Sequence, residues 1–374
     1  MKLDVSQGGT DSGAGGEGGG DADDDAKVIV RSNGTVTYVG KDIAYQMWKF
    51  GLLGRDFAYR RFLTYEDGHT AWTSAANNGE AGAPPFGNAA DVFNVIDARQ
   101  AYLQNVVVAG LRALGFEAQA AHSVHFSYEI VALSPRCAAE MGYTLSEEDA
   151  RKPYVEVSGR KGLGVKADDL LDRLEAAARA EVDPRHTGAP ESERAQIAHA
   201  IAIGALRYFL LKYTRTAIIA FDFKDALSFE GETGPYCQYA VVRARNIFRK
   251  AAEQNPEFRV GQLLDLPDAG AAARQLAGAG AAEHSGGDEL WELALLAGSL
   301  DWQVAAAVNA QEPAFIAKYA FELAQAFSLF YHHHHVLSEP DAARKTFLLQ
   351  LSKMVELQLV AALDLLGITA PEKM

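Results

Sequence analysis

The residues best suited to chemistry lie in one stretch, 153–174 (PYVEVSGRKGLGVKADDLLDRL), where Ser158, Arg160 and Lys161 place a hydroxyl and two cations within four positions. Gly159, Gly162 and Gly164 punctuate it, removing side chains that would stiffen the backbone or block its approach to a ligand. Such a loop can close on phosphates. Phosphate chemistry needs positive charge in the transition state, and a loop carrying Arg and Lys can bring it when the substrate is in place. Asp168 and Asp169 come next, where a helix should begin, and carboxylates suit the positive end of a helix dipole. On the loop alone a solvated basic turn is the plainer reading, because Gly-Arg-Lys-Gly recurs by chance in many chains.

The elements that must position this loop follow from turn chemistry and periodicity. Residues 27–40 (KVIVRSNGTVTYVG) predict two short strands around an Asn33-Gly34 turn. Asp42 then opens a helix with Ile43, Met47 and Phe50 on one face, so that Tyr38 at the strand exit and Asp42 in the first turn can point into a crevice at the carboxyl edge of a sheet. In isolation the plainer reading makes Asp42 a helix cap and Tyr38 core. Residues 62–90 have no clear period and many turn formers, and predict an inserted surface loop. Residues 91–97 (DVFNVID) predict a buried-type strand and 98–115 the helix after it, with Gln100 at the junction. Residues 116–133 bring another strand, which contains His125 and Tyr128. Strand, helix, strand in this order suggests a parallel α/β sheet.

From Glu191 the pattern reads as helices alone, beginning with Ile197, Ile201, Gly204, Tyr208 and Leu211 at helical spacing. Gly231 and Gly234-Pro235 make a turn, and the helix beyond carries Arg243, Arg245, Arg249 and Lys250. These four bases form a candidate RNA-facing stripe, with a solvated face or internal salt bridges as the alternative. Residues 267–288 are Ala/Gly-rich and read as a loose insertion, and further helices are predicted over 289–309, 312–336 and 341–366. Phe315, Tyr319, Leu323, Phe327 and Phe330 form one core stripe, and Leu348, Leu351, Val355 and Leu359 another. The run His332 to His335 looks like a tag or metal site, but it sits between Tyr331 and Val336 at a helix end, so metal binding is not expected.

Composition narrows the class. The 374 residues, 48% hydrophobic, suffice for two domains with buried cores. No apolar run approaches the length of a membrane span, and the N-terminus lacks a signal-peptide stretch, which predicts a cytoplasmic protein. Cys137 and Cys237 are too few and too far apart for a disulfide framework or zinc site. The net charge of −14 argues against nucleic-acid binding by bulk attraction, but residues 1–26, a flexible Gly/Asp-rich linker, hold much of it, and a basic stripe suffices for RNA contact.

The run VSGRKGLGVKADDLLDRL resembles the second signature loop of class I aminoacyl-tRNA synthetases in the form typical of arginyl-tRNA synthetases, with Val157 for the usual Met and Gly159 where many class I enzymes have lysine. The context TVTYVGKDIAY, the segment LSFEGETGPYCQYAVVRARNIFRK and Asp341-Ala342-Ala343-Arg344, which is similar to an Asp-Ala-Leu-Arg motif, extend the resemblance. It implies an α/β partial Rossmann-like nucleotide-binding domain (27–190, insertion 62–90) followed by an all-α anticodon-binding helical bundle (191–374). It also implies that Tyr38, Asp42 and Gln100 hold arginine, where a carboxylate can pair with a guanidinium at two points as it cannot with a lysine. Ser158, Arg160 and Lys161 would stabilise the triphosphate. His125, Tyr128, Gly159 and Gly162 would line the ATP site, and Arg243, Arg245, Arg249 and Lys250 would meet tRNA(Arg). ATP would enter with Mg²⁺ as a substrate complex.

The other class I signature, His-x-Gly-His, does not occur; His186-Thr187-Gly188-Ala189 lacks the second histidine and comes after the basic loop instead of before it. The resemblance therefore implies the C-terminal portion of such an enzyme, with Met1 an internal start and 1–26 the connector after a missing half. The expectation is a monomer with little aminoacylation activity by itself, which a separate N-terminal half could complete. The alternatives are a non-catalytic tRNA-binding protein that uses only the bundle and a helical interaction scaffold.

Overall fold

A computed structural model of the chain describes residues 2–4, 26–156, 166–263 and 286–374. It divides into two compact units, 1–129 and 130–374.

In the first unit β1 (Lys2–Asp4) pairs antiparallel with β2 (Ala26–Val28). The expected Asn33-Gly34 turn forms, with Gly34 at φ 80°, but its flanks shrink to one bridge between Val30 and Val36. Helix α1 (Tyr38–Lys49) starts earlier than expected, because the Thr37 hydroxyl accepts from the Gly40 amide and caps it. Tyr38 is therefore the first helical residue, and Asp42 lies beyond the first turn. Within 62–90 there is regular structure too: β3 (Ala58–Thr64) and β4 (Thr70–Ala75) form an antiparallel hairpin around Asp67-Gly68. Both faces of this hairpin meet solvent along much of its length, so it lacks the apolar alternation that would mark it in sequence.

Strand β5 (Val92–Asp97) forms as expected, and a 3₁₀ turn over 98–100 leads into α2 (Ala101–Ala113). The short α3 (Glu117–Ala121) precedes β6 (Ser123–Tyr128), which pairs in parallel with β5 in full register, Val92 opposite Ser123 and Asp97 opposite Tyr128. The expectation of a buried β5 fails in part. This sheet has two strands among the described residues, and Phe93 and Val95 remain exposed. Ile29, Val39, Ile43, Val106 and Val107 form the core between α1 and α2.

The second unit opens with β7 (Val131–Leu133), so the single strand expected over 116–133 is two, broken at Glu129-Ile130. Next come α4 (Pro135–Glu140), α5 (Ala167–Arg185) and α6 (Glu191–Leu211). The expectation of helices alone after Glu191 is corrected by β8 (Ile219–Phe221), which pairs in parallel with β7 across nearly 90 residues of sequence. Helices α7 (Phe223–Ala226) and α8 (Gly234–Gln254) come after it. The helix expected over 289–309 is two, α9 (Gly286–Ala297) and α10 (Leu300–Ala310), bent by 50° at Gly298-Ser299. Helices α11 (Ala314–His333) and α12 (Ala342–Leu365) complete the bundle.

Two cores fill this unit. One gathers Leu133, Leu174, Ala178, Ile201, Phe209 and Phe221 around the β7–β8 pair. The other gathers Tyr208, Val241, Leu293, Tyr319, Phe327, Val355 and Leu359 within the bundle. Helix α6 serves both through adjacent residues, Tyr208 and Phe209. It crosses α8 so closely that a Cβ at Gly234 would lie 2.3 Å from the Gly204 carbonyl oxygen. Two sequence expectations need correction here. Phe315, in the first turn of α11, is 40% exposed and leaves its stripe. Helix α12 is long and apolar enough to cross a membrane by length and composition, and 56% of its most apolar window is buried within the protein.

Candidate functional site

In the first unit the proposed arginine-binding residues stand on two packed elements. Tyr38 and Asp42 project from the first turns of α1, exposed, with the Lys41 ammonium 5.5 Å from the Tyr38 ring. Gln100 closes the 3₁₀ turn between β5 and α2, at the carboxyl end of a parallel strand, where such sheets place ligands. The fold also brings residues to this edge that sequence reasoning missed. Asp97, the last residue of β5, accepts from the Arg99 amide at 2.8 Å and from its guanidinium at 2.9 and 2.7 Å. Those bonds hold the Asp97 carboxyl down at about 2. An Asp-x-Arg spacing at a strand exit was the available signal.

A second overlooked group lies behind it. Gln46, on the inner face of α1, is buried; its amide donates to Ser123 Oγ at 3.1 Å and its carbonyl accepts from Asn94 at 3.3 Å. Lys49 donates to Asn94 Oδ1 at 2.8 Å, and burial lowers its pKa against the opposing pull of Asp42. This network fixes α1 on β5 and β6, and so sets where Tyr38 and Asp42 stand. His125 is half-buried, its Nε2 2.9 Å from the Ile96 carbonyl oxygen, a bond that ties β6 to β5. Tyr128, at the end of β6, is exposed.

Ser158, Gly159, Arg160, Lys161 and Gly162 lie outside the described residues. Beyond them α5 begins at Ala167 with Asp168 and Asp169 in its first turn, as expected, and seats Leu174, Ala178 and Val182 in the core with α6. At the carboxyl ends of β7 and β8, buried Asp222 accepts from the Ser134 hydroxyl, the Arg136 guanidinium and the Lys224 amide. Burial pushes its carboxyl up, but these bonds outweigh that and hold it below its ordinary value. Nearby Cys137 is driven up to about 12 by burial, which makes it an inert thiol.

The four bases of α8 do not share one face. At about 100° per residue Arg243 and Arg245 point roughly 200° apart, whereas Arg243 and Lys250 nearly align. Arg243 stacks on the rings of Tyr239 (4.5 Å) and Tyr331 (5.4 Å), and Arg249 pairs with Glu253 at 2.6 Å on the surface. Arg245 turns inward, to Glu356 at 3.3 Å and to the carbonyls of Ala370 and Pro371 at 3.0 and 3.1 Å. It is an internal clamp and drops out of the solvent-facing stripe. Gln238 assists it, donating to the Ala200 carbonyl at 2.9 Å and to that of Thr369 at 2.8 Å. Met374 packs on the β7–β8 core. Asp341 caps α12 by accepting from the Arg344 amide at 2.7 Å, which gives the Asp-Ala-Ala-Arg run a structural purpose.

A parallel α/β unit, then a helical bundle of which residues 237–374 match the DALR anticodon binding domain, is an arrangement of the aminoacyl-tRNA synthetase class. The arginine–tRNA ligase of Thermococcus kodakarensis is 34% identical over 349 residues, and that of Thermus thermophilus 35% identical over 359. Each alignment covers 93% of this chain but only 49% and 51% of the relative, so the chain spans about half the length of the curated relatives it matches. The solved Thermus thermophilus arginyl-tRNA synthetase matches with a TM-score of 0.73 at 30% identity, over 100% of this chain and 53% of the other. Along nearly its whole length the chain is thus similar to arginyl-tRNA synthetases, and it corresponds to their C-terminal portion.

Proposed function

We propose that the chain takes part in the ATP-dependent ligation of arginine to tRNA(Arg), supplying the arginine pocket, the second signature loop and the anticodon-binding bundle. The observation that carries this reading is the similarity to arginine–tRNA ligases along 93% of the chain, running through both units. Tyr38, Asp42 and Gln100 hold arginine, with the Asp42 carboxylate opposite the guanidinium. His125, Tyr128, Gly159 and Gly162 line the ATP site. Ser158, Arg160 and Lys161 carry charge and a hydroxyl to the triphosphate as the arginine carboxylate attacks its α-phosphorus, forming the arginyl-adenylate while the bond to the β-phosphate breaks and pyrophosphate leaves. Mg²⁺ comes with ATP; among the described residues no group of three or more His, Cys, Asp or Glu side chains could hold a metal ion. Arg243, Arg249 and Lys250 meet tRNA, and Arg245 holds the bundle that presents them. The acceptor is the terminal adenosine of the tRNA.

Because His-x-Gly-His is absent from these 374 residues, residues 1–374 alone are expected to charge tRNA(Arg) at a small fraction of a full-length rate. The test is arginine-dependent charging by the purified chain with and without a separately expressed N-terminal half from a relative. Recovery on mixing, abolished by Asp42→Asn, supports the reading. Robust charging without the second half would refute the dependence. Firm tRNA binding with no recovery would favour a non-catalytic tRNA-binding protein, a reading supported by the confinement of the DALR match to residues 237–374.

A further inference from the structure

Helices α9 and α10 carry two seams of residues, of which the bundle uses one. Leu290, Leu293, Ala297 and Leu300 are buried in its core, and Val304 and Ala307 pack against it. These positions alternate by three and four, and this side of both helices packs towards α11. A second set, Trp291, Leu295, Gly298, Trp302, Ala305 and Asn309, alternates by four and three through the same stretch, and every member is exposed. Trp302 is 78% exposed, Leu295 54% and Trp291 51%. At about 100° per residue Trp302 stands roughly 200° from Val304, and Leu295 roughly 200° from Leu293, so the second set points away from the core. Large apolar side chains grouped on one face mark a contact surface.

The pattern says what shape would fit and the charge says what kind of molecule. Leu295 and Trp302 stand beside Gly298 and Ala305, so bulky residues alternate with recesses that the side chains of a facing helix can fill. Neither α9 nor α10 contains a lysine or arginine. Each exposed tryptophan has an exposed carboxylate next to it, Glu292 after Trp291 and Asp301 before Trp302, and neither acid forms an ion pair among the described residues. Such a face repels a phosphate backbone or an anionic lipid surface. Two copies of the chain joined through it would bring like charges together.

We propose that the outer face of α9 and α10 docks an amphipathic helix of a second protein, one whose apolar stripe at heptad spacing is flanked by lysine or arginine. Trp291, Leu295 and Trp302 seat the stripe, and Glu292 and Asp301 pair with the flanking cations. This contact goes beyond the ligase reading and does not depend on it, because arginine, ATP and tRNA are assigned to other elements.

Fluorescence anisotropy tests it, using the full chain and a labelled synthetic helix of about five turns with leucine at heptad positions and lysine on the flanks. The control peptides are a scramble of the same composition and a version with glutamate in place of lysine. The variants are Trp291→Ser with Trp302→Ser, and Glu292→Lys with Asp301→Lys. The leucine/lysine helix is expected to bind about tenfold or more tightly than either control, and each double variant to lose about tenfold. All four positions are exposed, so the melting temperature should not move. No binding of the leucine/lysine helix at about 0.1 mM would overturn the proposal. Equal binding of the scramble, or wild-type affinity in both variants, would reduce it to bulk attraction by an acidic chain and overturn it too. A dimer in sedimentation that the tryptophan variant dissolves would make this a contact between copies. Uptake by neutral phosphatidylcholine vesicles that the same variant loses would make it a membrane face. Either result would overturn the partner-helix assignment.

Discussion

Replacing Arg245 by alanine should damage the helical bundle much more than the same change at any surface arginine. Its side chain is 22% exposed and that of its partner Glu356 10%, so the pair is largely shielded from water. Breaking one partner of a buried pair costs about 3–5 kcal/mol, because the remaining charge stays desolvated. Glu356 keeps Lys353 at 2.6 Å, which places the loss at the low end of that range. Two bonds to the Ala370 and Pro371 carbonyls go as well, at about 1 kcal/mol each, whereas the 82%-exposed Glu372 adds little. The sum is about 5 kcal/mol, reduced by whatever water reaches the freed carbonyls. Urea denaturation followed by far-ultraviolet circular dichroism reads it directly, with Arg249→Ala as control. Arg249 and Glu253 are each nearly 60% exposed, and their pair should be worth about 0.5 kcal/mol or less. A loss below about 1 kcal/mol for Arg245→Ala, or equal losses for the two variants, would refute the argument that Arg245 is an internal clamp.

Two further outcomes rest on close packing and on charge. Gly234→Ala should destabilise the bundle by about 2 kcal/mol or more in the same assay, because the new methyl would meet the Gly204 carbonyl, a backbone atom that cannot swing aside. Asp97 has a folded-state pKa of about 2, below the roughly 3.9 of an unfolded aspartate, so its contribution is complete above that higher value and is lost as pH falls through about 2. Asp97→Asn should therefore flatten the decline of the melting temperature between about pH 4 and pH 2 and leave its slope near neutrality unchanged.

Much of the architecture could be read from residue order, for reasons that differ by element. Tyr319, Leu323, Phe327 and Phe330 showed their stripe because α11 presses one face into a core, and Phe315 escaped it by lying in the first turn, before the packing begins. The β3–β4 hairpin was invisible for the opposite reason, since a ribbon wetted on both sides imposes no alternation. The division of α9 from α10 hides in two residues, Gly298 and Ser299, within a continuous apolar pattern. Thr37 could have been preferred to Asp42 as the cap, since either type serves. The β7–β8 pairing is a long-range match that no local pattern encodes. For the proposed site, motif resemblance suggested Tyr38, Asp42 and Gln100, but it could not reveal the Gln46–Asn94–Lys49 network that fixes the helix carrying Tyr38 and Asp42. The inward turn of Arg245 was present in the helical phase and was obscured by treating four nearby bases as one face.

The β5–β6 pair has a consequence for handling the protein. Phe93 and Val95 sit two residues apart on β5 and so project from one face of the ribbon, where both stay exposed. Large apolar side chains grouped in this way favour contact with other molecules. Light scattering at rising concentration should reveal self-association through this ribbon, and a lysine introduced at Val95 should suppress it.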